Sequence, residues 1–202
     1  MAGGEATRLA RAERRDAILD VAAALIDAGR LTDLSMESVA DAAGVSRALV
    51  YKHFANRQEL LAALYERESA RLHRQLSADV AAADGLADML RALIAGALAA
   101  QASRGATFAA LGHVGARPRS QKDRQRRRDA QTLRYFTAQA TKEFSIDPHR
   151  ARAVLAIGLS AIAGVLAVWR ERPTKENAAL LADSYVAIII GGLAQLQDGE
   201  PS

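Results

Sequence analysis

Apolar side chains in this chain recur with the period of an α-helix, and no stretch alternates as a strand would. Ile18, Val21, Ala22, Leu25 and Ile26 fall at i, i+3, i+4, i+7 and i+8, one face of an amphipathic helix. Leu133, Phe136, Ala140 and Phe144 repeat the pattern inside an otherwise polar segment. Composition points the same way. Alanine takes 46 of the 202 positions, against 4 prolines and 4% aromatics, a balance that favours helix and disfavours a large sheet. The expectation is an all-α protein of about nine helices.

The chain has no cysteine, which excludes a disulfide-stapled scaffold, a thiolate metal site and a cysteine nucleophile. The N-terminal run MAGGEATRLARAERRD is charged with no apolar run after it, unlike a signal peptide. The longest uncharged stretch, 153–169, is 17 residues, 8 of them Ala, Gly or Ser. It is short and weakly hydrophobic for a bilayer span, so a buried helix is expected there, no membrane association, and a cytoplasmic protein.

The formal net charge of +4 is unevenly placed. Residues 1–57 hold 8 Lys/Arg and 8 Asp/Glu, whereas residues 117–134 hold 8 against 2, a local surplus of +6. The adjacent Arg126, Arg127 and Arg128 span about 200° of a helix, so they cannot all face one phosphate strand. A solvated helix face is expected for this run, with an anionic ligand or partner as the alternative.

Local signals divide the chain into helices. The first ends near Gly29. Ser35 can cap a short second helix (36–43) with Glu37 in its first turn as a solvated acid, and Gly44 ends it. Ser46 can cap a third (47–53). Helices then follow over 58–77, with Asn56 as its cap, 86–101, 107–111, 122–144, 148–169 from Asp147-Pro148, and 174–196 from Thr174. Residues 1–57 thus form a small three-helix head and 58–202 a larger helical body.

Two short helices joined through Gly44-Val45-Ser46 form a helix-turn-helix, which lays its second helix in a DNA major groove. Val39, Ala40, Ala43, Val45 and Val50 are the small or branched groups that pack such helices, and Gly44 stands where positive φ is needed. At the recognition helix, Ser46 can bind a phosphate, and Arg47 and Lys52 can reach phosphates or base edges. Tyr51 can donate its hydroxyl to a phosphate and Leu49 can touch a thymine methyl. His53 either touches DNA or packs the helix.

The run Ser35-x3-Val39-Ala40-x2-Ala43-Gly44-Val45-Ser46, followed by Tyr51-Lys52-His53-Phe54-x2-Arg57-x2-Leu60, resembles the signature of the TetR/AcrR family of transcriptional repressors. Ala48 and Leu49 depart from it, since the family often has glycine and a polar residue there. The resemblance implies an all-helical homodimer whose N-terminal domain binds a palindromic operator in double-stranded DNA, with Arg57 joining the DNA-binding set. It also implies a body with a pocket for a small-molecule effector and a dimer interface made from the last two helices. For that interface Gly158, Gly164, Ile188, Gly191 and Gly192 are the candidates, small residues allowing close helix approach. For the pocket they are Met89, Leu93, Gln101, Phe108, His113, Tyr135 and Trp169, each of which can equally be plain core.

No enzymatic constellation appears. The four histidines lack metal-ligand spacing, there is no phosphate loop or nucleophile elbow, and Asp84 and Asp88 read as an exposed pair. No catalytic residue, metal or cofactor is expected. The alternatives to a ligand-released repressor are a repressor without an effector and a helical protein-interaction module.

Overall fold

The computed structural model describes residues 2–112 and 119–197, with side chains at 10–103, 105 and 123–197. Among these residues there are eight helices and no strand: α1 (Ala2–Asp27), α2 (Met36–Ala43), α3 (Arg47–His53), α4 (Arg57–Ala81), α5 (Leu86–Gly112), α6 (Arg119–Phe144), α7 (Pro148–Glu171) and α8 (Lys175–Gln197). The expected separate helix at 107–111 does not exist, because α5 runs through it. Gly105 is the weakest helix former between the two expected segments, and about 1 kcal/mol relative to Ala does not break a long helix that has no proline. The first helix, α1, also begins well before its apolar face at Ile18. Residues 2–13 are mostly Ala, Arg, Glu and Leu, good helix formers with no apolar stripe for periodicity to detect.

The capping signals translate directly into hydrogen bonds. Ser35 Oγ accepts from the Ser38 amide at 3.0 Å while Ser38 Oγ accepts from the Ser35 amide at 2.8 Å, a reciprocal capping box. Asn56 Oδ1 accepts from the Glu59 amide at 2.9 Å and Glu59 returns a carboxylate to the Ala55 amide at 2.8 Å. Asp147 accepts from the His149 and Arg150 amides, and Thr174 Oγ1 accepts from Asn177 at 3.1 Å. Each such cap contributes about 1 kcal/mol.

The chain divides into two compact units, residues 1–71 with 104–117 and residues 72–103 with 118–202. In the first, α1, α2 and α3 pack around Ile18, Ala22, Ile26, Val39, Val50 and Phe54, all buried. The start of α4 belongs to this core through Leu60, Leu61 and Leu64, so the head extends past residue 57 along α4.

In the second unit α6, α7 and α8 pack on one another. They share a core with α5 and the end of α4 that includes Leu90, Ile94, Leu98, Phe136, Leu155 and Leu193. Gly96 lets Leu76 approach, since a β-carbon there would lie 2.3 Å from Leu76 Cδ2. Glu143 of α6 accepts from the first amide of α5 at 2.8 Å, placing a carboxylate on a helix N-terminus, where the dipole favours it.

Candidate nucleic-acid interface

The turn between α2 and α3 is built on one backbone requirement. Gly44 takes φ +64°, its amide pointing to the carbonyls of Ala40 and Asp41, and Val45 closes on Ala40 at 3.0 Å. No atom crowds the position where a β-carbon would stand. Glycine is therefore there for its left-handed conformation and not for space.

This turn sets α3 with Val50 and His53 inward and Tyr51 and Lys52 outward. Tyr51 is 54% exposed, a large aromatic left in solvent beside a lysine. Ser46 caps α3, its oxygen accepting from the Leu49 amide at 3.2 Å, so its own hydroxyl proton remains available to an acceptor. Leu49 is half-buried. Arg47 is exposed and pairs with Glu37 across the two short helices. A solvent-exposed pair contributes at most about 1 kcal/mol, little enough for a phosphate to displace the carboxylate. No helical spacing signals this pair, because its members lie on different helices.

Two residues expected to bind DNA are engaged within the chain, Arg57 half-buried and His53 buried. Arg57 donates Nε to the Leu34 carbonyl at 2.7 Å and Nη2 to the Leu31 carbonyl at 3.0 Å. Its guanidinium ties the loop before α2 to the start of α4. His53 is buried, and its carbonyl accepts from Arg15 at 2.8 Å. Burial first, then the positive charges of Arg11, Arg15, Lys52 and Arg14, hold its imidazole below the ordinary 6.5, since each disfavours a cation. Arg15 also lies over the Phe54 ring, 4.2 Å from its centroid.

That imidazole shows where the head gathers charge. Although residues 1–57 balance to zero, the end of α3 sits among cations from α1, of which Arg11 and Arg14 are exposed. The spacing of Arg11, Arg14 and Arg15 at i, i+3 and i+4 already places them on one helix face, a signal the recognition-helix motif overshadowed. Farther along, Arg67 donates to the Asp16 carbonyl, to Asp20 and to the buried Glu68 carboxylate, tying α4 to α1.

In the second unit, Met89, Leu93 and Trp169 are core residues, and Trp169 donates its indole N–H to the Thr174 carbonyl at 3.2 Å. Gln101 is half-buried. Tyr135 is 44% exposed, its ring edge-on to Phe136, and so does not converge with the buried set. The Phe108 side chain and His113 lie outside the described residues. Sequence reasoning passed over two hydroxyls that are buried without a hydrogen-bond partner among the described residues, Thr141 Oγ1 and Tyr185 Oη. Burial pushes the Tyr185 phenol above its usual range.

Of the small residues expected at the dimer interface, Gly158 faces inward: a β-carbon there would stand 2.5 Å from Ile189 Cδ1 of the same chain. Gly164 and Gly191 open to solvent, and Gly192 faces Val154. Ile157 and Ile188 are 73% and 75% exposed, with Leu180 and Val168 also uncovered. Both α7 and α8 are long and apolar enough to cross a membrane by length and composition. The helix expected to be buried over 153–169 is not so: α7, like α8, packs one side on the core and leaves the other bare.

The Gly-centred helix-turn-helix, with basic and aromatic side chains outward on α3, has the geometry of the DNA-binding helix-turn-helix class. Residues 18–64 match the bacterial regulatory proteins of the tetR family. The fold is shared with a transcriptional regulator from Rhodococcus sp. Rha1, at 21% identity and TM-score 0.71 over 88% of this chain and 96% of that one. It is also shared with a TetR family transcription regulator from Marinobacter aquaeolei VT8, at 18% identity and TM-score 0.66 over 90% and 97%. A third similar structure is the transcriptional regulator FadR from Bacillus subtilis in complex with stearoyl-CoA, at 15% identity and TM-score 0.63 over 87% and 97%. No curated protein matches the chain by sequence. The family is thus matched over the helix-turn-helix region, and the fold is shared over most of the chain.

Proposed function

We propose that this regulator is a homodimeric repressor that binds a palindromic operator through α3 and leaves it when a small molecule occupies the body. The observation that carries the DNA-binding reading is the division of α3. Val50 and His53 anchor one side in the head core, while Arg47, Tyr51 and Lys52 stand exposed on the other. Ser46, Arg47, Tyr51 and Lys52 bind phosphates or base edges, Leu49 offers an apolar contact, and Arg11 and Arg14 add phosphate anchors from α1. Residues 1–57 supply the DNA-contacting surface, and 58–202 the effector and dimerisation functions.

Dimerisation rests on the bare aliphatic faces of α7 and α8. Ile157, Gly164, Val168, Leu180, Ile188 and Gly191 present apolar or small surface, which a second copy can cover as a four-helix interface. The effector reading draws on the aliphatic core around Met89, Leu93 and Trp169, where the Tyr185 and Thr141 hydroxyls offer polar contacts. That the same fold holds stearoyl-CoA in FadR of Bacillus subtilis supports a small-molecule effector here too.

Selection of bound DNA from a random duplex pool tests the proposal. The expected product is an inverted repeat with half-sites about 34 Å apart. Tyr51→Ala with Lys52→Ala should weaken binding to it at any sequence and reduce the salt slope, whereas Arg47→Ala should also relax base preference. Selection that yields no consensus refutes the operator reading and favours a protein-interaction module.

A further inference from the structure

The chain's charge surplus is in α6, which the operator-binding helix does not use. Between residues 124 and 142 there are six Lys/Arg and one carboxylate. At 100° per residue, Arg124, Arg127, Arg128, Gln131, Arg134, Tyr135, Ala138 and Lys142 fall within an arc of about 120°. Leu133, Phe136, Ala140 and Phe144 lie on the opposite side, with Phe136 and Ala140 fully buried in the core. Arg126 and Asp129 belong to that opposite side by angle, and Asp129 accepts from Gln125 at 2.8 Å. Arg127, Arg134, Tyr135 and Lys142 are all exposed. Five cations thus share one face along about 27 Å of helix, and a phosphate contact there rests on the exposed Arg127, Arg134 and Lys142.

From this arrangement we infer that the outer face of α6 is a second, sequence-independent DNA contact, separate from the recognition helix. Arg127 and Arg134 each carry a planar guanidinium, which matches a phosphate with two parallel hydrogen bonds. Gln131 and the Tyr135 hydroxyl add the uncharged donors that accompany arginine on a nucleic-acid backbone. A lipid surface fits less well, because a membrane-binding helix inserts an apolar face and the apolar face of α6 is spent on the core. An acidic protein fits less well too, since protein interfaces close around a central apolar patch. The only large apolar group on this face is the Tyr135 ring. The head carries no net charge over residues 1–57, so the stripe on α6 would add to the attraction of duplex DNA beyond the cations gathered on α1 and α3.

The test uses the full chain and a random duplex without an inverted repeat, with binding followed by fluorescence anisotropy across a salt series. Replacing Arg127, Arg134 and Lys142 by Gln should weaken binding about tenfold or more near 50 mM salt and lower the logarithmic salt slope by about 2–3. A control removing Arg126, Arg150 and Arg152, equal in charge but off the stripe, should change affinity less than about threefold. Equal losses in both variants, no loss in the first, or no binding of the wild type to this duplex would each overturn the inference. So would phosphatidylglycerol vesicles binding the wild type and not the stripe variant while duplex binding stays unchanged. The α3 reading fails separately: the stripe variant should keep the selected operator preference, and Arg47→Ala should relax that preference.

Discussion

The two compact units of this chain are held together by different chemistry. Side chain to backbone ties cross the head: Arg57 to the carbonyls of Leu31 and Leu34, Arg15 to His53 and the Phe54 ring, Arg67 to the Asp16 carbonyl and to Asp20 and Glu68. The body relies more on aliphatic packing among long Ala-rich helices, with fewer side-chain ties such as Glu143 to the Leu86 amide and Arg91 to Asp183. It has two buried hydroxyls without a hydrogen-bond partner among the described residues, and an aliphatic face left in solvent. Directional bonds fix positions. That suits the role proposed for α3, a short helix whose side chains would have to be held in place to meet base edges. Packing alone is less directional and leaves apolar surface for a second copy or a ligand.

The largest expected effects come from the two cores. Phe54→Ala should destabilise by about 3–5 kcal/mol and Leu155→Ala by about 2–5 kcal/mol in denaturant unfolding. Phe54→Leu should recover less than its volume suggests, because Arg15 loses the ring face. A full recovery would weaken the view that directional contacts organise the head.

Removing a directional tie should cost somewhat less. Arg57→Ala removes both guanidinium bonds to the loop before α2, and about 2–3 kcal/mol is expected from hydrogen bonds to a charged donor. Lys52→Ala, on the exposed side of α3, should leave the unfolding midpoint nearly unchanged while lowering DNA affinity. Were Arg57→Ala instead to spare stability and abolish DNA binding, Arg57 would return to the DNA-contacting set.

Two glycines sharpen the contrast. Gly44→Ala should cost about 1–2 kcal/mol, mostly recovered by Asn, which tolerates positive φ. Gly158→Ala is limited by space, about 1–3 kcal/mol, and Ile189→Ala should relieve it with a clear non-additivity in the double-mutant cycle. Reversal of those rescues would refute the assignment of backbone strain to one and crowding to the other.

The smallest effect is that of pH. With the His53 value held below 6.5, the unfolded chain binds the proton first on acidification. His53 then contributes stability that is fully present above 6.5 and lost as pH falls from 6.5 toward the folded value. His53→Gln should flatten that part of the stability profile when unfolding is followed against pH.

Much of this was legible in the sequence because it is local. The capping residues Ser35, Ser46, Asn56, Asp147 and Thr174, the left-handed Gly44 and the amphipathic face from Ile18 to Ile26 depend on neighbours within one or two turns. They became the elements they announced. The boundaries at residues 2 and 107 were not legible, since a polar Ala- and Arg-rich stretch has helix propensity without periodicity.

The site was legible in outline through the Gly-Val-Ser turn and Tyr51-Lys52, yet the sequence by itself could not say which cations stay free. Arg57 and Lys52 look alike along the chain. Only the tertiary structure placed two loop carbonyls before Arg57 and solvent before Lys52. It alone also turned Gly158 toward Ile189 and left Ile188 bare. A residue's type fixes which bonds it can make and its local spacing fixes which helix face it occupies. What that face meets depends on chain segments tens of residues away, whose approach is settled by packing the whole fold.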